Sequence, residues 1–309
     1  MLRLPDGPAR ALTGFALIVT LLTLAPGPAA AQGSPTPKPV VDSAPRKVGF
    51  GKTAVIEGHL ENGNPSDVVV LQRRLAYTGW KKVSRKQVGD DLKVRFRRTD
   101  LRKTTRFRLL WNDPVSDLST RSDARKVRVG SRLTFDASPR HLYEGRRVRF
   151  SGRLLPVAPG RSVLIQRKVE GRWHSIKRVA VRDGHYSGSF EIHRLGYRRL
   201  RVRFGGDEFS TSDRDRSAVT VYDPDMATWY GPGFYGNRTA CGKTLTTETL
   251  GVAHRSLPCG TKVSLLYRGR TITVSVIDRG PYSSADWDLT EETAERLRFS
   301  GREVIGTTR

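Results

Sequence analysis

From Met226 onward the chain carries the residue types that could do chemistry. Asp278 ends the apolar run Thr271-Ile272-Thr273-Val274-Ser275-Val276-Ile277 and opens onto Arg279-Gly280-Pro281. A carboxyl held at a rigid turn and withdrawn from water keeps its proton more readily than a solvated one, which suits a general acid. The competing reading is a turn-forming aspartate pinned by Arg279. His254 is the one histidine of this region, in Ala253-His254-Arg255-Ser256-Leu257-Pro258, and is open to a structural or an acid–base role. Trp229 and Tyr230 offer flat aromatic faces, with core packing the competing reading for Trp229, and Asn237 and Lys243 offer polar heads.

The elements that must position these groups are short. The run ending at Asp278 has the Val and Ile content of a strand. Asp288-Leu289-Thr290 introduces a helix with Ala294 and Leu297 on one face and Thr290 as N-cap. Asp286 and Asp288 lie near Asp278 in sequence, and Asp288 reads as ordering the helix start.

Five motifs occur in order here: Ala227-Thr228-Trp229-Tyr230-Gly231, Thr239-Ala240-Cys241-Gly242, Ala253-His254 through Leu257-Pro258-Cys259-Gly260-Thr261, Asp278-Arg279-Gly280-Pro281 and Asp288-Leu289-Thr290. Together they resemble the RlpA-like double-psi β-barrel of the septal lytic transglycosylases, related in fold to expansins. The resemblance covers residues 226–309. It implies that His254 joins Asp278 in a glycan groove, where Trp229 and Tyr230 stack on sugar rings and Asn237 hydrogen-bonds hydroxyls. It also implies endolytic cleavage between N-acetylmuramic acid and N-acetylglucosamine, with a 1,6-anhydro product and no attacking water. One carboxyl then suffices, where hydrolytic glycosidases use two. Active members carry Glu where this chain has Lys243, a departure that favours the alternative of a non-catalytic, expansin-like barrel that binds or loosens wall glycan. A hydrolytic glucanase on the same barrel would need a second carboxylate across the groove. Neither a metal nor a cofactor is expected.

The N-terminus reads as an export signal. Arg3 and Arg10 precede an apolar stretch from Ala11 to Ala25, and Ala29-Ala30-Ala31 offers a cleavage site, so residues 1–31 are expected to be a signal peptide. The apolar stretch is short of the about 20 residues a membrane span needs, and no cysteine adjoins the site for lipid attachment. The mature chain is therefore expected to be secreted or held in the cell wall without a membrane anchor. Residues 32–45, with Pro35, Pro37, Pro39 and Pro45, read as a Pro-rich linker. In an oxidising compartment Cys241 and Cys259 are expected to pair, closing a loop with 17 residues between them.

Between linker and barrel lies an internal duplication. Phe50-Gly51 through Glu57-Gly58 aligns with Glu144-Gly145 through Ser151-Gly152, Val70-Leu71-Gln72 aligns with Leu164-Ile165-Gln166, and Trp80 aligns with Trp173, at offsets of 94, 94 and 93 residues. Alternating apolar and basic residues between turn signals predict two immunoglobulin-like β-sandwich repeats over 46–130 and 131–222, so the chain is expected to be mainly β. The two tryptophans read as core residues.

The formal net charge is +25, which at first suggests nucleic acid. Its distribution argues otherwise. The duplicated region holds 41 basic and 18 acidic residues, whereas residues 223–309 hold 11 and 10. In an exported chain that excess would meet anionic wall polymers rather than nucleic acid.

Overall fold

The computed structural model describes residues 35–309, and the expected signal peptide lies outside the described residues. No helix among the described residues is long and apolar enough to cross a membrane. Three hydrophobic cores follow one another along the chain. The first lies between a sheet of Lys38–Ser43, Lys52–Glu61 and Lys93–Leu101 and a second sheet in the order Lys47–Val48, Arg125–Val129, Thr105–Asn112, Val68–Arg74, Lys81–Gln87. Strict alternation builds it: along Lys52–Glu61, Ala54, Ile56, Gly58 and Leu60 face inward and meet Leu71, Phe96, Phe107 and Leu109. Gly58 is required here, because a Cβ would collide with the Val40 carbonyl oxygen.

Lys38–Ser43 corrects the linker expectation for its part of 32–45. It is an antiparallel strand paired with Lys52–Glu61, and Val41 is buried in the core. Its one proline, Pro39, is tolerated because the strand lies at a sheet edge and Pro39 stands near its start.

The second core sits between Arg147–Leu155 with its partners Arg132–Leu133, Asp136–Ser138 and His185–Glu191, and a sheet containing Arg172–Ala180, Ser162–Val169, Gly196–Phe204 and Asp213–Tyr230. Phe150, Leu154, Ile165, Leu200, Val202 and Val219 fill it. The duplicated glycine recurs at Gly152, where a Cβ would strike the Thr134 carbonyl oxygen.

Trp80 and Trp173 are not core residues, and for Trp173 the reason is register. Gln166 pairs with Arg201 and Lys168 with Trp173, while the neighbouring pair Ile165 and Val202 takes the inward side. Trp173 therefore falls on the outer face, with the Arg201 guanidinium 4.2 Å from its ring centre. Trp80 is covered in the same way by Arg108 at 4.1 Å. Each arginine also donates from Nε to the equivalent glutamine, Arg108 to Gln72 at 2.7 Å and Arg201 to Gln166 at 2.8 Å. The two aligned segments thus share an outer-face stack rather than a core contact.

Two joints order the cores. The loop after Phe204 docks on the first sandwich, with Thr104 N–H donating to the Phe209 carbonyl at 2.7 Å and Thr211 N–H to the Val129 carbonyl at 2.8 Å. The buried Arg161 holds that loop through two 2.7 Å bonds to Asp207. At the other end no linker intervenes. The 18-residue strand Asp213–Tyr230 pairs with Gly196–Phe204 through Val221, then with Glu303–Thr307 from Asp223 onward.

That strand enters a closed barrel. The ring runs from its C-terminal half to Trp287–Thr290, Val252–Ala253, Arg270–Asp278, Lys262–Tyr267 and Glu303–Thr307, which pairs back to it. Trp287, Leu289, Val252, Val276, Leu265 and Ile305 fill the interior. Glu291–Leu297 forms the expected helix, with Thr290 as N-cap and Arg298 closing it in the left-handed conformation at φ 55°.

Candidate functional site

Val252–Ala253 is the centre of the site. It runs parallel to Arg270–Asp278, with Ala253 opposite Asp278, and antiparallel to Trp287–Thr290, with Ala253 opposite Asp288. Asp288 in turn lies opposite Thr228 of the long strand. The pairing slips by one residue between Val252/Val276 and Ala253/Asp278, which turns Asp278 to the Ala253 side. Asp278, Ala253, Asp288 and Thr228 therefore form one row across four strands, with Tyr230 two residues beyond Thr228.

The row is electrostatically coupled. Asp288 accepts a hydrogen bond from Thr228 Oγ1 at 2.8 Å. Burial raises its pKa above the ordinary 3.8, and the neighbouring Asp278 charge raises it further, against the Thr228 bond. Tyr230 is also pushed up, first by burial and then by the charges of Asp278 and Asp288. Its hydroxyl is buried and has no hydrogen-bond partner among the described residues.

Asp278 is fixed from below. Its Oδ1 accepts from the Ala240 and Arg279 amides, each at 2.8 Å. Ala240 belongs to the turn Thr239–Gly242, whose shape is kept by Thr239 N–H donating to the Lys243 carbonyl at 2.7 Å. The Cys241–Cys259 disulfide, with Cα atoms 5.7 Å apart, ties this turn to the loop after His254. Lys243 is exposed beside the turn that touches Asp278, and no carboxylate lies within 4.0 Å of it among the described residues. Asn237 is exposed on the same loop.

His254 meets Asp278 through the backbone, not through its ring. Its amide donates to the Asp278 carbonyl at 3.2 Å. Because Ala253 faces Asp288, the next residue falls opposite Trp287, on the other side of the sheet, and the two rings pack at 4.4 Å. Nδ1 accepts from the Ser256 and Leu257 amides at 3.2 and 3.0 Å, so the ring proton resides on Nε2. Burial, followed by the Arg255 charge, lowers its pKa, and the carboxylates that oppose this are Asp225 and Asp286. The His254 ring thus packs on Trp287, and the carboxyl that senses the Asp278 charge is that of Asp288.

Trp229 is 38% exposed and Phe234 55% exposed, and Phe234 meets Tyr230 edge-on at 6.1 Å. The core reading of Trp229 does not hold; Trp229 pairs with Leu289, on the face opposite Thr228 and Asp288, while Phe234 borders Tyr230 beside the acidic row. Asp288 is the residue that sequence reasoning placed wrongly. The helix N-cap is Thr290 alone, and the strand alternation Thr228–Tyr230 against Asp288–Thr290 was the signal that pointed outward.

The closed six-strand ring, with two carboxyls at its rim, defines a double-psi β-barrel domain. Residues 225–307 match a family model described as lytic transglycolase. The C-terminal domain is similar to the RlpA-like double-psi β-barrels. It is 47% identical over 60 residues to the probable endolytic peptidoglycan transglycosylase RlpA of Synechocystis sp., covering 19% of each chain. Over 75 residues it is 48% identical to the endolytic peptidoglycan transglycosylase RlpA of Campylobacter jejuni, covering 23% of this chain and 27% of that one. The RlpA of Pseudomonas aeruginosa strain PAO1 is 38% identical over 77 residues, covering 24% of this chain and 22% of that one. The likeness is confined to the barrel, and the chain spans between 19% and 27% of the length of these relatives.

Proposed function

We propose that this is an exported cell-wall protein whose barrel is an endolytic peptidoglycan lytic transglycosylase. The observation that carries the reading is the half-buried Asp288 carboxyl, raised by burial and by Asp278. Asp288 donates its proton to the oxygen linking N-acetylmuramic acid to N-acetylglucosamine, and the bond from the muramic C1 to that oxygen breaks. The muramic C6 hydroxyl attacks C1 and gives its proton to the Asp288 carboxylate, which closes the 1,6-anhydro ring and restores the acid. Asp278 supplies the fixed negative charge that stabilises positive charge developing at C1. Tyr230 holds the substrate through its free hydroxyl, Trp229 and Phe234 carry sugar rings, and Asn237 and Lys243 border the strand's path. His254 holds the loop from Arg255 to Gly260 and the backbone of Asp278.

The same reading makes residues 1–31 a cleaved signal peptide and gives the two basic sandwiches the task of holding the protein on anionic wall polymers. A second reading has one specific support: Lys243 stands where active relatives of this type carry Glu, which fits a barrel that binds or loosens glycan without cutting it. Digestion of purified peptidoglycan followed by mass analysis separates them. Anhydromuramic products support the transglycosylase; intact strands from an enzyme that still sediments with the wall support the binding barrel.

A further inference from the structure

The outer face of the second sandwich carries a cleft of about 530 Å³. Lys168, Arg199 and Arg216 line it together with Trp173 and Tyr197. None of these three cations has a carboxylate within 4.0 Å among the described residues, unlike the nearby Arg140, which bonds Asp136 at 2.8 Å. Tyr197 is 64% exposed, a large aromatic left at the rim. Trp173 is half-buried, with Arg201 stacked on one face of its ring.

The pairing beside the cleft is energetically unusual. Arg201 lies directly opposite Arg216, and Arg203 directly opposite Arg214. Like charges facing each other across adjacent strands are destabilising. The crowding registers at Arg201, whose pKa is lowered by burial and then by Arg203, Arg214 and Arg216. Along Gly196–Phe204 the outward residues Tyr197, Arg199, Arg201 and Arg203 recur at every second position, about 7 Å apart. The result is a ladder of cations with an aromatic pair at one end.

We infer that this cleft and ladder form a binding site for a linear anionic glycan, its sugar rings seated on Trp173 and Tyr197 and its phosphate or carboxylate groups on Lys168, Arg199 and Arg216. Guanidinium groups suit both anions, since their planar donor fork bonds two oxygens at once. A ladder with fixed spacing fits a polymer better than a single ion, and aromatic faces distinguish a sugar chain from a plain polyphosphate. The inference rests on the proposed wall-holding role of the sandwiches and locates that role in named residues.

The test uses the full-length chain and four soluble polymers: polygalacturonate, a linear poly(N-acetylhexosamine phosphate), poly(glycerol phosphate) and neutral dextran. The native chain is expected to bind the two sugar-bearing polyanions, and the tighter of them identifies the anionic group. Trp173→Ala with Tyr197→Ala is expected to weaken both by about tenfold and leave poly(glycerol phosphate) within about twofold. Arg199→Gln with Arg216→Gln is expected to weaken all three polyanions by about tenfold or more. The charge-matched pair Lys81→Gln with Lys86→Gln, on the first sandwich, is expected to change binding less than about twofold. Equal loss in the charge-matched pair, or unchanged binding in the aromatic variant with its circular dichroism intact, overturns the site. If the native chain sediments with walls at low salt while the cleft variants do so equally, this inference fails and wall holding stands. If the native chain binds no polyanion and no wall, both fail. Glycan cleavage by the barrel is measured separately in each variant and is expected to be unchanged on soluble strands.

Discussion

Asp278 and Asp288 face one another across the short strand Val252–Ala253, both in register with Ala253, and the charge of the first raises the pKa of the second. Two carboxyls on one row cannot both ionise freely. Burial, more than the neighbouring charge, is what sets Asp288 apart from an ordinary carboxyl.

Removing the Asp288 charge should stabilise the barrel while abolishing its activity. A carboxyl whose folded pKa is raised favours the fold while protonated, so its contribution falls as pH rises from 3.8 through the folded value and is flat beyond it. Asp288→Asn lacks that slope. Hydrogen exchange at the Val252 and Ala253 amides is expected to slow in the variant relative to the native chain, and the difference is expected to grow over that window. A faster exchange in the variant at neutral pH would contradict the assignment of a costly buried carboxyl.

His254 titrates in the opposite sense. Its folded pKa lies below 6.5, so the neutral ring supports the fold above that pH and the support is lost as pH falls from 6.5 through the folded value. Protonation also removes the Nδ1 acceptor used by Ser256 and Leu257. A nuclear magnetic resonance titration is expected to give a midpoint below 6.5 together with loosening of the Arg255–Gly260 loop. A midpoint above 6.5 would show that a carboxylate governs the ring after all.

The disulfide is expected to matter for both stability and the site. Cys241 and Cys259 are separated by 18 positions, and closing a loop of that size stabilises by roughly 3 kcal/mol. Cys241→Ser with Cys259→Ser should lower barrel stability by about that amount. It should also loosen the Ala240 amide that fixes Asp278, lowering activity at temperatures where the barrel remains folded. Unchanged melting in the double variant would refute the first part, and unchanged turnover the second.

The joint between the sandwiches depends on Arg161 and Asp207. The arginine side chain is 2% exposed, so leaving it without its anion strands a buried charge. Asp207→Asn should cost about 3–5 kcal/mol in denaturant unfolding, and Arg161→Met with Asp207→Leu much less. Equal losses in the two variants would mean that packing, not charge, holds the loop.

The sequence is a good guide where alternation or spacing carries the signal. The strands of both sandwiches follow their apolar positions, and the barrel follows motifs that each occupy a few residues. The misplaced residues share one cause: their positions depend on register between strands distant in sequence. Trp173 is large and apolar, yet its pairing with Lys168 puts it outward beneath Arg201, and Trp80, just ahead of its strand, likewise lies beneath Arg108. Asp288 stands two residues before a helix cap, and only its pairing with Ala253 and Thr228 reveals that it belongs to the acid row. Val40 and Val41 are hidden among prolines, so Lys38–Ser43 reads as linker until its strand partner is known. The hold of Arg161 on the junction loop is equally invisible in sequence, since Arg161 and Asp207 stand 46 positions apart.

The most direct test digests purified peptidoglycan in water enriched in oxygen-18 with the native chain, Asp288→Asn and Asp278→Asn, and analyses the products by mass. The native chain is expected to release 1,6-anhydromuramic ends without label, and both variants are expected to lose at least about 100-fold in rate. Labelled reducing muramic ends would instead make the barrel a hydrolase that uses its two carboxyls on water. Unlabelled anhydro products persisting in Asp288→Asn at the native rate would contradict the account at its centre.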